Sequence, residues 1–333
     1  MRALVDRARL LAAWAEQRPL TLPVLALLIA LLASVAMAGV AGFGAVDSAL
    51  GRAAPGWLGL ILGARLAAYA GYTLAHRATL TPAGQASIPV DARLKLVAFG
   101  AAATSLAGGF ATDHRAMRGA GASSREATVR VLSLGALEWA TLAPVAWISA
   151  LTLLGSARVQ DAVTVPWSVG VPVGCALAGA AAWRLSAGAL AHKGPLARAL
   201  ARVLDALSML REQLRHPLLG WAGWLGMSLY WAAEIVSLWA ALRLFALHPS
   251  AAVVILGYAT GHVLTPRSVP LSGVGITEVL LPLALMWVGL PLAAAVPAVF
   301  VYRGAVLALS IPPALLARGQ VRQLLGARRA PAR

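Results

Sequence analysis

Long apolar runs separated by short basic segments set the plan of this 333-residue chain. Residues 20–42, 57–75, 124–154, 165–190, 217–246 and 291–316 are each apolar over a length suited to crossing a hydrocarbon core of about 30 Å, so the pattern predicts six full spans. Two other apolar stretches are short or broken. Residues 96–112 end in Ala107-Gly108-Gly109, and 249–290 holds two apolar halves around Pro266 to Glu278, a segment with two prolines, two glycines, an arginine and a glutamate. Backbone that leaves the helix in hydrocarbon strands N–H and C=O groups at several kcal/mol each, so such a break is packed in protein or lines a polar cavity.

The basic residues orient these elements. Arg2, Arg7, Arg9 and Arg18 alternate with Leu4, Leu10, Leu11 and Trp14, which predicts an amphipathic segment over 1–19 on the cytoplasmic surface. Ala36-Met37-Ala38 also fits a signal-peptide cleavage site, but the run before it is long enough to remain as a span. If 96–112 crossed the membrane, Arg115, Arg118, Arg125, Arg130 and the basic stretch 192–215 would all lie outside, against the positive-inside bias. A re-entrant hairpin at 96–112 keeps every arginine cluster cytoplasmic. Ser123 and Glu126 then form a capping-box pattern that opens the helix over 124–154. Residues 192–215 read as an interfacial helix joining the halves 20–190 and 217–316, and the basic tail 317–333 is cytoplasmic like the N-terminus. Charge bias leaves 249–290 open between a hairpin from outside and two crossings. Symmetry favours the hairpin, because each half then carries a glycine-interrupted re-entrant pair followed by a long helix, the inverted-repeat logic of transporters. The fold class is an all-α polytopic bundle of about six full spans and two re-entrant hairpins in one transmembrane domain, 20–316.

Composition agrees with this plan. Hydrophobic residues make up 60% and charged residues 12% of the chain, with a mean hydropathy of +0.77, outside the range of soluble domains. The formal charge of +16 sits in segments flanking apolar runs, which argues for membrane anchoring and against a nucleic-acid partner. Arginine outnumbers lysine 26 to 2, a bias that suggests a GC-rich bacterial genome and hence the bacterial cytoplasmic membrane. The single cysteine, Cys175, excludes an intrachain disulfide and reads as a buried bystander.

Six ionisable residues fall within apolar segments: Arg65, Glu138, Glu234, Arg267, Glu278 and Arg303. Charges at that depth are expected to face the bundle interior and pair. Arg65, Glu138 and Glu234 read as intramembrane charge pairs, while Arg267, Glu278 and Arg303 cluster near the broken backbone with Gly273 and Gly275. Arg184 and Arg243 lie near span ends, where snorkelling accounts for them. His114 and His262 read as interior hydrogen-bonding groups before proton relays. No HExxH, CxxC or GxSxG constellation occurs, and neither a metal nor a cofactor is expected.

Ser272-Gly-Val-Gly-Ile-Thr-Glu278, followed by a short apolar helix, a loop near Gly289 and Val301-Tyr-Arg303, resembles the transmembrane region of bacterial lysylphosphatidylglycerol synthases and their stand-alone relatives. Gly108-Gly109 before Asp113, Arg115 and Arg118 is similar to that family's first glycine-rich turn. Leu271-Ser272 stand where Pro-Gly is usual, and the first motif lacks its proline. The resemblance implies translocation or other handling of an anionic or aminoacylated phospholipid, or of a polyprenyl-linked lipid, without aminoacyltransferase activity. Membrane lipid is then the partner, together with a membrane glycosyltransferase or lipid-synthesising enzyme in some relatives. The candidate headgroup residues are Arg267, Gly273, Gly275, Glu278, Arg303, Asp113, Arg115 and Arg118, with no catalytic residue assigned. The alternatives are a membrane-embedded glycosyltransferase-type enzyme with Asp113 or Glu278 as base, and a non-catalytic subunit of such a complex.

Overall fold

The computed structural model describes residues 21–80, 93–94, 97, 109–119, 121–185, 194–215, 217–265, 273–316 and 319. The amphipathic segment 1–19, most of 96–112, the centre of the broken segment with Arg267, and nearly all of the tail 317–333 lie outside these residues. The described residues are all-helical without strands, in eleven α-helices: α1 Thr21–Ala41, α2 Phe43–Leu50, α3 Leu58–Leu80, α4 Gly109–Gly119, α5 Ser124–Leu153, α6 Asp161–Arg184, α7 Pro195–Arg215, α8 Pro217–Leu244, α9 Ala251–Leu264, α10 Ile276–Trp287 and α11 Leu292–Leu316. A short 3₁₀ turn, Pro55–Trp57, leads into α3. Six helices, α1, α3, α5, α6, α8 and α11, are long and apolar enough to cross a membrane, and they coincide with the six predicted spans. The chain is a multi-pass helical membrane bundle.

Local chemistry places the helix ends. Ser123 starts α5 by accepting the Glu126 N–H at 3.1 Å, while the Glu126 carboxylate is held by Arg130 Nε at 3.2 Å instead of closing a reciprocal capping box. Ser250 does the same for α9 through the Val253 N–H. Asp113, Arg115 and Arg118 lie on α4, which runs on to Gly119.

The tightest packing is between α3 and α8. A β-carbon added at Gly71 would lie 2.6 Å from the Gly226 carbonyl and the Tyr230 amide, and one at Gly226 would lie 2.6 Å from the Ala75 amide and the Gly71 carbonyl. Small residues thus let two membrane helices touch backbone to backbone, where dispersion and weak polar contacts drive association. Tyr72, Met227, Trp231, Leu134, Leu137, Tyr258, Leu281 and Tyr302 carry the main core outward from that crossing to α5, α9, α10 and α11. By contrast, α6 buries only Val163 and Thr164, so it lies on the outside of the bundle. Cys175 is therefore exposed on this outer helix, not buried as its apolar run predicts.

The two short helices α9 and α10 lie side by side and antiparallel. Val253 and Leu256 near the start of α9, with Trp287 and Val288 at the end of α10, share an apolar cluster with Ala150, Val159 and Val163. At their other ends Thr265 approaches Gly273, whose added β-carbon would sit 3.6 Å from the Thr265 β-carbon. With a rise of about 1.5 Å per residue, helices of 14 and 12 residues reach only about 21 and 18 Å, less than a hydrocarbon core. Their open ends are tied to the α5–α6 loop, where Gln160 N–H donates to the Trp287 carbonyl at 3.0 Å. Gly275 (φ +87°) and Gly273 (φ +70°) take left-handed backbone conformations at the turn into α10.

Candidate functional site

The break between α9 and α10 opens on a cavity of about 110 Å³ inside the bundle. Arg65, Tyr69 and Tyr72 from α3, Glu138 from α5, Tyr230 and Glu234 from α8, Tyr258 and His262 from α9, Thr277 from α10, and Tyr302 and Arg303 from α11 line it. All five tyrosines of the chain are on this wall. Apart from His262 and Thr277, which stand at the ends of α9 and α10 beside the break, these side chains come from the middle of their helices, so charges that sequence places singly at membrane depth meet around one space.

Two ion pairs set the electrostatics. Arg65 pairs with Glu234, which also accepts the Tyr302 hydroxyl, and the Arg65 guanidinium lies 5.7 Å from the Tyr302 ring centre. Both charges are almost fully buried, and such a pair is tolerated only when further hydrogen bonds serve it, as Tyr302 does here. Across the cavity, Arg303 Nε donates to Glu278 Oε1 at 3.1 Å, and Glu278 Oε2 accepts the Gly275 N–H at 2.6 Å. Glu278 is 1% exposed and stands behind Arg303, outside the cavity lining. The positive end of α10 is thus occupied by the chain's own carboxylate, which holds Arg303 at the wall. Glu138 lies 4% exposed in the middle of α5, and its carbonyl accepts the Trp231 indole N–H at 3.0 Å.

Aromatic contacts fix the rest of the wall. Tyr72 and Tyr230 meet edge to face at 5.1 Å, Trp231 and His262 at 4.8 Å, and Tyr258 stacks on His262 at 6.1 Å. Each tyrosine packs its apolar ring into the bundle, and the Tyr302 hydroxyl is spent on Glu234 and that of Tyr69 on Ser310.

The structure sorts the sequence-predicted residues into two places. Arg303, Glu278, Gly273 and Gly275 gather beside the cavity with Arg65, Glu138 and Glu234. What the two glycines supply is backbone geometry: a β-carbon at Gly275 would lie 2.6 Å from the Ile29 side chain on α1. Asp113, Arg115 and Arg118 do not line the cavity. Asp113 Oδ1 faces His76 Nε2 at 3.2 Å, and Arg93 NH1 donates to the other ring nitrogen at 3.3 Å and to the His76 carbonyl at 3.2 Å. With Arg93 donating to Nδ1, the assigned tautomer carries its proton on Nε2 and donates to Asp113. Burial and the nearby Arg77 charge push the Arg93 guanidinium down to about 10, still charged at neutral pH. This trio reads as a structural latch on the end of α3. Arg118 donates to the Ala122 carbonyl at 2.9 Å and Arg115 to Ala111 at 3.4 Å, both within the α4 region.

Sequence reasoning missed the tyrosines and His76. A usable signal was present, because Tyr69, Tyr72, Tyr230 and Tyr258 each stand four residues from Arg65, His76, Glu234 or His262, and Tyr302 adjoins Arg303. Such spacing puts ring and charge on one helix face. Among the described residues no three His, Cys, Asp or Glu side chains gather as a metal site needs. No family model matches the chain, and no curated protein matches it.

Proposed function

We propose that this chain is a flippase-like lipid translocase of a bacterial cytoplasmic membrane, a stand-alone relative of the lysylphosphatidylglycerol synthase transmembrane region, working on an anionic or aminoacylated phospholipid or a polyprenyl-linked lipid. The observation that carries the reading is the mid-bundle cavity at the meeting of two half-length helices, walled by two carboxylate-held arginines and five tyrosines. A space of about 110 Å³ accommodates several waters or one phosphate-sized group and no acyl chain. The headgroup enters it while the tails stay in lipid. Arg303 and Arg65, oriented by Glu278 and Glu234, present guanidinium donors to the phosphate.

In this reading α9 and α10 form a re-entrant hairpin entering from outside, 96–112 forms its inverted counterpart from the cytoplasm, and both chain termini are cytoplasmic. Alternation comes from rocking of the two halves about the cavity. A transferase would need a carboxylate base facing an open donor pocket. Asp113 is 1% exposed against His76, and Glu278 is committed to Arg303 and the Gly275 amide, which favours translocation over transfer. Native mass spectrometry of lipid co-purified with the protein tests the proposal. Retention of one anionic or aminoacylated lipid class, reduced in Arg303→Lys at unchanged melting temperature, is expected; a lipid profile matching the bulk membrane in both proteins would overturn it.

A further inference from the structure

At the end of the bundle that carries the α5–α6 loop, α8 finishes beside the turn before α3: the Ala54 N–H donates to the Leu244 carbonyl at 2.8 Å. Next to that contact the Arg243 guanidinium lies 5.1 Å from the Trp57 ring centre and 5.4 Å from that of Trp239, and the two indoles meet edge to face at 5.4 Å. The guanidinium is held in the corner of two ring faces. Cation–π stacking leaves the N–H edge of an arginine unused. Arg243 makes no hydrogen bond or ion pair among the described residues.

Helix capping does not explain this placement. The last carbonyls of α8 already have backbone partners, since Leu242 accepts from the Phe245 and Leu247 amides, Arg243 from Ala246 and Leu244 from Ala54, with Ala246 in a left-handed conformation (φ 61°). Snorkelling carries the guanidinium toward the headgroups, and the two tryptophans add a fixed plane. Arg52, exposed in the turn two residues before Ala54, brings a second arginine to the same end of the bundle. Asp47, the acidic residue closest to it in the chain, forms no ion pair with either arginine. His248 turns its Nδ1 back on the Ala246 carbonyl at 3.0 Å.

We propose that Arg243, pinned between Trp57 and Trp239 and with Arg52 in the neighbouring turn, is a second phosphate-binding site, separate from the cavity, that takes the headgroup of an anionic phospholipid at the bundle end opposite the arginine-rich helices α4 and α7. The tryptophans place the site at headgroup depth, where their rings bridge the apolar and wet layers. One pinned guanidinium and an exposed one nearby, neither paired with a carboxylate among the described residues, prefer a lipid of net negative charge over a zwitterionic one. For a translocase the site is a loading or release station on that face, and it stands whether or not the cavity moves lipid.

The test uses the full chain in detergent micelles doped with brominated phosphatidylglycerol or brominated phosphatidylcholine, with tryptophan fluorescence as the local readout. A Trp57→Phe, Trp239→Phe variant gives the signal of the other tryptophans, and subtraction isolates this pair. Brominated phosphatidylglycerol is expected to quench the pair at about tenfold lower lipid fraction than brominated phosphatidylcholine, the factor set by charge-assisted hydrogen bonds. Arg243→Gln abolishes that preference, and Arg243→Lys and Arg52→Gln each weaken it. Inorganic phosphate in micelles without brominated lipid distinguishes the sources: a saturable change in the emission of the pair on adding phosphate, together with equal quenching by the two brominated lipids, would assign the site to free phosphate and overturn the lipid. Equal quenching by the two lipids, or an unchanged preference in a folded Arg243→Gln, would overturn the proposal outright. If Arg243→Gln fails to fold, unchanged preference in both Arg243→Lys and Arg52→Gln does so instead.

Discussion

Removing either member of the Arg303–Glu278 pair should destabilise the bundle unequally, and removing both should cost less than the two losses together. Arg303→Met leaves Glu278 as a carboxylate with 0% side-chain exposure, facing only the Gly275 amide and the positive end of α10. Stranding one partner of a buried pair costs about 3–5 kcal/mol, and the retained amide and helix dipole offset about 1 kcal/mol of that. Glu278→Gln is milder. The amide oxygen still accepts from Gly275, and Arg303, 11% exposed at the wall of a polar cavity, loses one charge-assisted hydrogen bond worth about 1.5–3 kcal/mol. In the double variant no charge is stranded, so a coupling of about 1–3 kcal/mol is expected. Unfolding in mixed micelles on titration with dodecyl sulfate, followed by tryptophan fluorescence, gives the four free energies of the cycle. Additivity within about 0.5 kcal/mol, or a Glu278→Gln loss larger than that of Arg303→Met, would refute the reasoning.

Other consequences follow from packing and placement. Gly71→Ala and Gly226→Ala each force α3 and α8 apart against backbone contacts of 2.6 Å and should cost about 1–3 kcal/mol, read by the same titration; the pair should be non-additive because both relieve one crossing. Ser123→Ala removes the oxygen that caps α5 and should cost about 1 kcal/mol without changing lipid retention. In a Cys175→Ser background, an impermeant maleimide added to intact cells should label Ala53→Cys and spare Ser124→Cys, as both positions are exposed and lie at opposite ends of the bundle; the reverse pattern would invert the proposed orientation.

The spans were legible because hydropathy acts on whole segments: each long helix is apolar throughout, and Ser123 marks where α5 begins. The short helix α2 went unread, since Phe43–Leu50 follows α1 after only Gly42 and looks like the end of the same run. Exposure was harder still. Cys175 sits in sequence as apolar as that of any core helix, yet α6 faces outward, because in a bilayer the outer and inner faces of a helix are both apolar and composition does not separate them. Charges at membrane depth pointed to Arg65, Glu138, Glu234, Glu278 and Arg303, but which carboxylate serves which arginine is decided by helix crossing, through Gly71 and Gly226 for Arg65 with Glu234. The tyrosines belong to four different helices, and only the fold brings them to one wall.

The central claim is that the cavity moves a lipid headgroup across the membrane, and transport in sealed liposomes tests it most directly. Protein is reconstituted with short-chain fluorescent phosphatidylglycerol in both leaflets, and an impermeant reductant destroys the probe it can reach. Wild-type protein is expected to expose the inner-leaflet probe well above the rate in empty liposomes, and Arg303→Lys, with unchanged melting temperature, to slow this about tenfold by losing the planar donor pair. A wild-type rate equal to that of empty liposomes for phosphatidylglycerol and for aminoacylated and polyprenyl-linked probes, or a rate untouched by Arg303→Lys, would contradict it.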